Sequence, residues 1–246
     1  MATPAIFAST FPMDSGDRFA WHVHERHQVA WAANGVLTVV AEAGTWVLPP
    51  ARALWIPAGI AHETIASERA TMRSLYLEPG LSPIDWTAPR PLLATRLFAA
   101  LIEHLGDDSI AEQSRGLAEA LLFQILEPVE VVTIEVLVPK DERALRVARA
   151  LIAQPADPRS LAAWGREVGA SVRTLTRAFV AETGIPFTRW RTAVRLRAAL
   201  PRLAAGEPVS AVASGVGYET PSAFVAAFRR ETGVTPGMYF RTAQRR

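Results

Sequence analysis

Arg173, Thr176 and Arg177 stand at i, i+3 and i+4, the spacing that puts side chains on one face of a helix. Two guanidiniums and a hydroxyl on such a face suit one kind of chemistry, hydrogen bonding to base edges and phosphate oxygens. Displaced by 49 residues, the same face carries Ser222, Val225 and Ala226, with Arg229 one turn further on. The displacement holds over a whole segment. Ser171 to Gly184 and Thr220 to Gly233 register at a constant offset of 49, and Val168-Gly169 and Val216-Gly217 at 48, so the second copy has a turn one residue longer.

The helices that must hold these faces are marked in both copies. Ser171 and Thr220 stand where an N-cap oxygen accepts a backbone N–H, and Pro221 follows at a position where its missing donor costs nothing. Gly184 and Gly233 supply the left-handed stop. Leu175 with Phe179, and Phe224 with Phe228, form i, i+4 apolar pairs that define the buried side. Each segment follows a shorter apolar stretch, beginning at Leu161 and at Val209. The chain therefore writes a helix-turn-helix twice, with a second helix in each copy suited to the major groove of double-stranded DNA. One copy alone would read equally well as a helical hairpin packed for its own sake; the repeat and the charge pattern favour DNA.

Net charge is +2, but it is unevenly placed: residues 1–138 hold 8 Arg against 16 acids (net −8), and residues 139–246 hold 18 Lys plus Arg against 8 acids (net +10). A basic half marks a polyanion partner. Its arginines are spread over short capped helices, which favours nucleic acid over a membrane surface. No apolar run reaches the length of a membrane span, and the N-terminus lacks a secretory pattern. With zero cysteines there is no disulfide framework. A cytoplasmic protein without a membrane partner is expected.

The 246 residues allow one large or two ordinary domains. Residues 18–80 read as short strands, Val36–Val40, Trp46–Leu48, Ala53–Ile56 and Met72–Leu77 among them, separated by Gly and Pro turns, and suggest a small barrel or sandwich. Trp21, Trp31, Trp46 and Trp55 are expected in its core, one or two of them on a pocket wall. Residues 91–126 change to helical spacing, with Leu92, Leu93, Leu97, Phe98, Leu101, Ile102 and Leu105, then Leu117, Leu121, Leu122, Ile125 and Leu126. These two helices serve either to cover the barrel or to join two subunits, and a homodimer suits paired DNA sites. The run Val129–Pro139 is a strand or an extended linker. A helix begins near Asp141, and Phe187–Leu203 forms a spacer about 25 Å long, suited to placing two readers roughly 34 Å apart. Pro201 is expected to kink that spacer or end its regular part. The expected boundaries are 1–127 for a sensor and dimerisation domain, 128–140 for a linker and 141–246 for a DNA-binding domain.

The C-terminal hundred residues resemble the AraC/XylS-type DNA-binding domain. The resemblance is carried by Ala170-Ser-Val-Arg-Thr-Leu-Thr-Arg-Ala-Phe179, Arg195-Leu-Arg-Ala-Ala-Leu200, Gly217-Tyr-Glu-Thr-Pro-Ser-Ala-Phe-Val-Ala-Ala-Phe-Arg-Arg230 and Gly233-Val-Thr-Pro236. It implies that the base-contacting positions fall on Arg173, Thr176, Arg177, Ser222, Val225 and Ala226. Ser171, Thr220 and Arg229 complete the expected DNA-binding set. The second face is nearly apolar, so it touches a thymine methyl but reads few hydrogen bonds, and the first helix is expected to carry more specificity.

The N-terminal part resembles the cupin barrel used as a sensor in this family. His22-Val-His24, Gln28 and Gly35 follow the first cupin motif with Gln in place of the usual Glu, and Pro57-Ala-Gly59-Ile-Ala-His62 follows the second, whose closing Asn is here Ala66. The implied fold class is multidomain α+β, a cupin-like β-barrel with two flanking helices before an all-α domain. His22 and His24 at i, i+2 share a strand face. With His62 and Gln28 they make a set suited to Zn, Ni, Fe or Cu, weakened by the missing carboxylate. Otherwise the histidines line a pocket as hydrogen-bonding groups. His27 is expected to face outward, and Glu25 and Glu63 to alternate away from the histidines.

Two functions of different class follow. The favoured one is a promoter-binding transcription regulator, not an enzyme, with a small-molecule or metal effector in the barrel and RNA polymerase as a further partner. The alternative is a metal-dependent cupin enzyme, a dioxygenase or isomerase, with an appended helical domain.

Overall fold

In the first part of the chain, side chains alternate between two apolar environments, and a two-sheet barrel results. The structure, a computed structural model, describes residues 6–107, 109–130, 133–134 and 136–240. Its strands are β1 (Ile6–Met13), β2 (Arg18–His22), β3 (His27–Asn34), β4 (Leu37–Ala41), β5 (Gly44–Leu48), β6 (Arg52–Ile56), β7 (His62–Ala66), β8 (Ala70–Leu77) and β9 (Arg90–Leu93). They pair antiparallel in a five-stranded sheet, β1-β8-β3-β6-β9, and a four-stranded sheet, β2-β7-β4-β5.

β3 shows the alternation. Ala30 and Ala32 face the inside of the barrel with Leu37, Val39, Leu48, Leu54 and Ile56. Val29 and Trp31 face the other way, onto helices α1 (Arg96–Leu105) and α2 (Glu112–Ile125), where Phe98, Ile102, Leu105 and Leu122 cover the outside of the five-stranded sheet. A strand buried on both faces needs a continuous apolar run, which Val29 to Ala33 supply; buried Gln28 precedes that run. Covering the barrel is the use that the packing shows; Leu97, Leu117 and Leu121 on the same helices are exposed.

Three expectations need correction. Leu92 and Leu93 lie on β9, not in a helix, because Arg90–Leu93 pairs with β6 and four residues complete the sheet edge. β1 lies N-terminal to the expected strand region and pairs along its length with β8. Trp21 is 55% exposed on the edge strand β2, whereas Trp31, Trp46 and Trp55 are buried.

The second compact unit runs from Ile134 to Tyr239. Part of the run expected as linker packs within it: Ile134 is buried, and Trp190 Nε1 donates to Leu137 O at 2.7 Å. Residues 131, 132 and 135 of that run lie outside the described residues. The helices are α3 (Glu142–Ala153), α4 (Leu161–Val168), α5 (Val172–Thr183), α6 (Phe187–Ala204), α7 (Val209–Gly215), α8 (Pro221–Thr232) and α9 (Pro236–Tyr239). Trp164, Leu175, Phe179 and Trp190 pack with Val147 and Leu151 in the core of the first motif. In the second, the rings of Tyr218, Phe224, Phe228 and Tyr239 follow one another at 5.4, 5.8 and 5.4 Å.

The capping chemistry is repeated as the spacing requires. Ser171 Oγ accepts from Thr174 N at 3.1 Å and Thr220 Oγ1 from Ala223 N at 3.2 Å, while Gly184 and Gly233 take φ of +74° and +77°. The repeat extends to two buried threonines: Thr183 Oγ1 reaches Phe179 O at 2.7 Å and Thr232 Oγ1 reaches Phe228 O at 2.8 Å. Pro201 does not end α6. It lies near the C-terminal end of the helix, which continues to Ala204.

Gly35 turns β3 into β4 at φ +68°, and a Cβ there would lie 2.4 Å from Arg69 O. Gly35→Ala is expected to destabilise the barrel by more than about 1 kcal/mol, through both the backbone conformation and the clash. The check is the urea midpoint followed by tryptophan fluorescence, and a midpoint equal to wild type contradicts it.

Candidate nucleic-acid interface and metal centre

The periodicity that buries Leu175 and Phe179 leaves Arg173, Thr176 and Arg177 exposed on the other side of α5. Neither arginine has an ion-pair partner among the described residues, so both guanidinium forks are free to meet a polyanion. On α8, Ser222, Ala226 and Arg229 are exposed and Val225 is half-buried. Ser171 and Thr220 are exposed too, but their oxygens already cap the helices. The two faces differ as their residue types require: one is rich in donors, the other mostly small and apolar.

The histidines come together in the barrel. β2 ends at His22, His24 lies just beyond the strand, and His62 opens β7 opposite His22. Nε2 of His22 lies 3.1 Å from Nε2 of His24, and one ligand atom from each of the three rings falls within 4.8 Å of the others. His22 Nδ1 lies 2.6 Å from Ala20 O, and His62 Nδ1 lies 2.9 Å from Ile60 O. A carbonyl only accepts, so Nδ1 is the donor in both rings, which in the neutral tautomer leaves the lone pair on Nε2. His62 is fully buried and its Nε2 has no hydrogen-bond partner.

Burial lowers the pKa of His24, and the neighbouring His22 and His62 lower it further. Burial also lowers that of His62, opposed in part by the Ile60 hydrogen bond and reinforced by His22. Both shifts favour the neutral form of His24 and His62, the form that binds metal. Zinc bound by imidazoles at about 2.0–2.1 Å would need ligand nitrogens about 3.3 Å apart; those of His22 and His24 are 3.1 Å apart, and all three lie within 4.8 Å of one another.

Gln28, 2% exposed, donates through Nε2 to Ser74 Oγ at 2.9 Å and leaves Oε1 buried without a partner. Ser74 and Tyr76, at i, i+2 on β8, were not singled out in the sequence. Their signal is the alternation itself, two polar residues continuing the strand face that Ala70 and Met72 begin. The Tyr76 ring lies 5.1 Å from that of His24, and burial raises its pKa. A mouth of about 540 Å³ opens here, lined by Val23, His24, Glu25, Arg26, Tyr76 and Glu78, with an ion pair of 3.0 Å between Arg26 and Glu78.

Glu25 does not alternate away from the histidines, because the regular strand has already ended at His22; it lines the same mouth as His24. His27 faces outward from the cluster: its Nδ1 accepts from Ala58 N at 3.0 Å and its ring lies 4.8 Å from that of Trp55.

Two family models match the chain, one over each part. A family model described as an AraC-like ligand binding domain matches residues 7–126, and one described as a helix-turn-helix domain matches residues 164–242. The chain is 28% identical over 221 residues to the HTH-type transcriptional regulator NimR of Escherichia coli, covering 89% of this chain and 81% of that protein. It is 41% identical over 101 residues to the HTH-type transcriptional regulator RipA of Corynebacterium glutamicum, covering 41% of this chain and 30% of that protein. Among the described residues no helix is long and apolar enough to cross a membrane.

The lowered histidine pKa values have a consequence for stability. The unfolded chain takes up protons near pH 6.5, before the folded one does, so stability is lost as pH falls from there toward the folded-state values. The urea midpoint of metal-stripped protein is expected to be lower at about pH 5.5 than at about pH 7.5, and the difference to shrink in His62→Gln. Equal midpoints for the wild-type protein would contradict neutral rings in the fold.

Proposed function

We propose that this chain, which belongs to the AraC/XylS-type transcriptional regulators with an N-terminal cupin-type sensor domain, reads promoter DNA mainly through α5 and responds to an effector bound at the histidine centre. The single observation that carries the reading is the pair of capped helices on which Arg173, Thr176 and Arg177 stand exposed. Arg173 and Arg177 are assigned to guanine edges and nearby phosphates. Thr176, Ser222, Val225, Ala226 and Arg229 complete the contact set, and the helix starts at Ser171 and Thr220 face phosphate. The proposed functional division is 1–127 for sensing and dimerisation and 141–246 for DNA binding, with the end of the expected linker 128–140, from Ile134, joining the second. The assigned setting is the cytoplasm, with a homodimer joined through Leu97, Leu117 and Leu121 and with RNA polymerase as a further partner.

His22, His24 and His62 would hold a divalent ion, with the Gln28 oxygen available beside them. When bound, the ion supplies a Lewis-acid centre for a donor atom of the effector. His62 keeps its lone pair inward through the Ile60 hydrogen bond, and Tyr76 and Arg26 border the approach. The enzyme reading is the weaker one, because no carboxylate belongs to the histidine cluster among the described residues.

Arg173→Ala and Arg177→Ala are each expected to lose about 1–3 kcal/mol of base discrimination at one half-site in gel shifts on the cognate promoter. Unchanged shifts in both variants would remove the recognition-helix assignment. Elemental analysis of purified protein is expected to find one divalent ion per chain, lost in a His22→Ala/His62→Ala variant that still binds DNA. Metal-free wild-type protein would leave the histidines as pocket-lining groups and sink the enzyme reading with the metal.

A further inference from the structure

Helix α6 does more than separate the two motifs. In the helical unit α3, α4 and α5 pack together, α7 packs on α8, and both groups lean on α6. Arg191 and Arg195, one turn apart and half-buried on α6, both donate to the stretch that leads into α4. Arg191 Nη1 donates to Arg159 O at 2.8 Å and its Nη2 to Asp157 O, while Arg195 Nε donates to Pro155 O at 3.1 Å. That stretch is itself fixed to α4. The Arg159 guanidinium lies 3.5 Å above the Trp164 ring and pairs with Glu167.

The second motif touches the same place from the other side. A Cβ on Gly217 would lie 2.8 Å from Ala156 Cα and 3.0 Å from the Arg195 guanidinium. The Arg195 guanidinium also lies 5.6 Å from the Tyr218 ring, which packs at 5.4 Å against Phe224 of α8. A continuous line of contacts thus runs from α4 through residues 155–159, the two arginines and the Gly217 turn to α8. A groove of about 710 Å³ lies over it, lined by Thr176 on one side, Glu219 on the other, and Arg191 and Arg195 between.

We propose that Arg191 and Arg195 are positioning residues that set the distance and helical phase between the two DNA readers. They act by holding the approach to the first motif against the turn of the second. The donors that face residues 155–159 are held by backbone carbonyls, and the role proposed for both arginines is geometric rather than a phosphate contact. The proposal rests on the two-reader assignment above. A guanidinium suits it, because its donors lie in a fixed plane, as in Arg191, where Nη1 and Nη2 hold two carbonyls, whereas lysine is a point charge on a flexible stem.

The test uses the full chain and duplexes selected by the wild-type protein from a randomised library, then lengthened or shortened by one base pair between the half-sites. One base pair turns the second site by about 34–36°. Wild type is expected to lose at least about tenfold in affinity on either altered spacer. Arg191→Ala and Arg195→Ala are expected to discriminate among the three spacers by less than about threefold, with unchanged affinity for an isolated first half-site and an unchanged salt slope. Spacing discrimination retained in both variants overturns the proposal. So does a salt slope reduced by about one, which would mark a direct phosphate contact. Where an alanine variant does not fold, Arg195→Lys carries the same reading, since it keeps the charge but not the fork; full spacing discrimination in that variant also overturns it. Wild-type protein that binds an isolated half-site as tightly as the paired sites would instead remove the two-reader assignment, a result separate from loss of spacing control.

Discussion

A helix of twelve residues is marginal on its own in water, and both recognition helices are of that length. Their existence depends on burying one face. Leu175 with Phe179, and Phe224 with Phe228, supply that face and are fully buried. Once those positions are fixed, the 3.6-residue period leaves no choice about which side chains point out. Arg173, Thr176 and Arg177 are exposed because Leu175 and Phe179 are not. The outward face is thus a geometric consequence of packing. Ser171 and Thr220 stop the chain from fraying where it would present its first free N–H groups, and the left-handed glycines let it turn back toward the core.

The barrel obeys the same logic with period 2 in place of 3.6. Polar groups inside it survive only where each has a partner or a purpose. Thr64 and Ser74 are buried on strands, and Gln28 is held by Ser74. His62 spends one nitrogen on a backbone carbonyl and keeps the other bare. A bare buried nitrogen costs free energy, and in the proposed reading a bound metal ion offsets that cost. The lowered pKa values of His24 and His62 belong to the same account, since three imidazoles crowded in a buried mouth cannot all be charged.

The helical half was almost fully legible, because caps, stops and apolar pairs are local and short in range. Asp141, Ser171 and Thr220 each stand at the helix start their type implies. What escaped reading depends on partners distant in sequence. β1 is a strand because β8 offers it a mate more than fifty residues away. Leu92 and Leu93 look helical in their window and become a strand because the β6 edge is open. Trp21 falls outside the core because β2 ends the four-stranded sheet. The histidine cluster was legible from motif spacing, whereas Ser74, Tyr76 and the fate of Glu25 were not, because their meaning depends on where β2 ends. Arg191 and Arg195 read as ordinary helix arginines until the carbonyls they hold are seen.

The duplication makes two motifs with one scaffold chemistry and two different outer faces. Copying the caps, the glycine stops and the buried threonines preserves the fold of each unit, since these act within it. Nothing in that chemistry fixes the residues facing away from the core, so the two faces are free to differ, and they do. One guanidinium fork placed on a base discriminates by about 1–3 kcal/mol, while a methyl-sized contact discriminates far less. In the proposed reading the second helix therefore adds mostly length to the site and the first adds most of its sequence content. Such a division works only if the second helix arrives at a fixed distance from the first. A weak reader that wandered would cost ordering entropy without adding discrimination. The contacts at the α6 junction and the poverty of the α8 face are, in that reading, two sides of one arrangement: the less a reader recognises by itself, the more its value depends on being held in place.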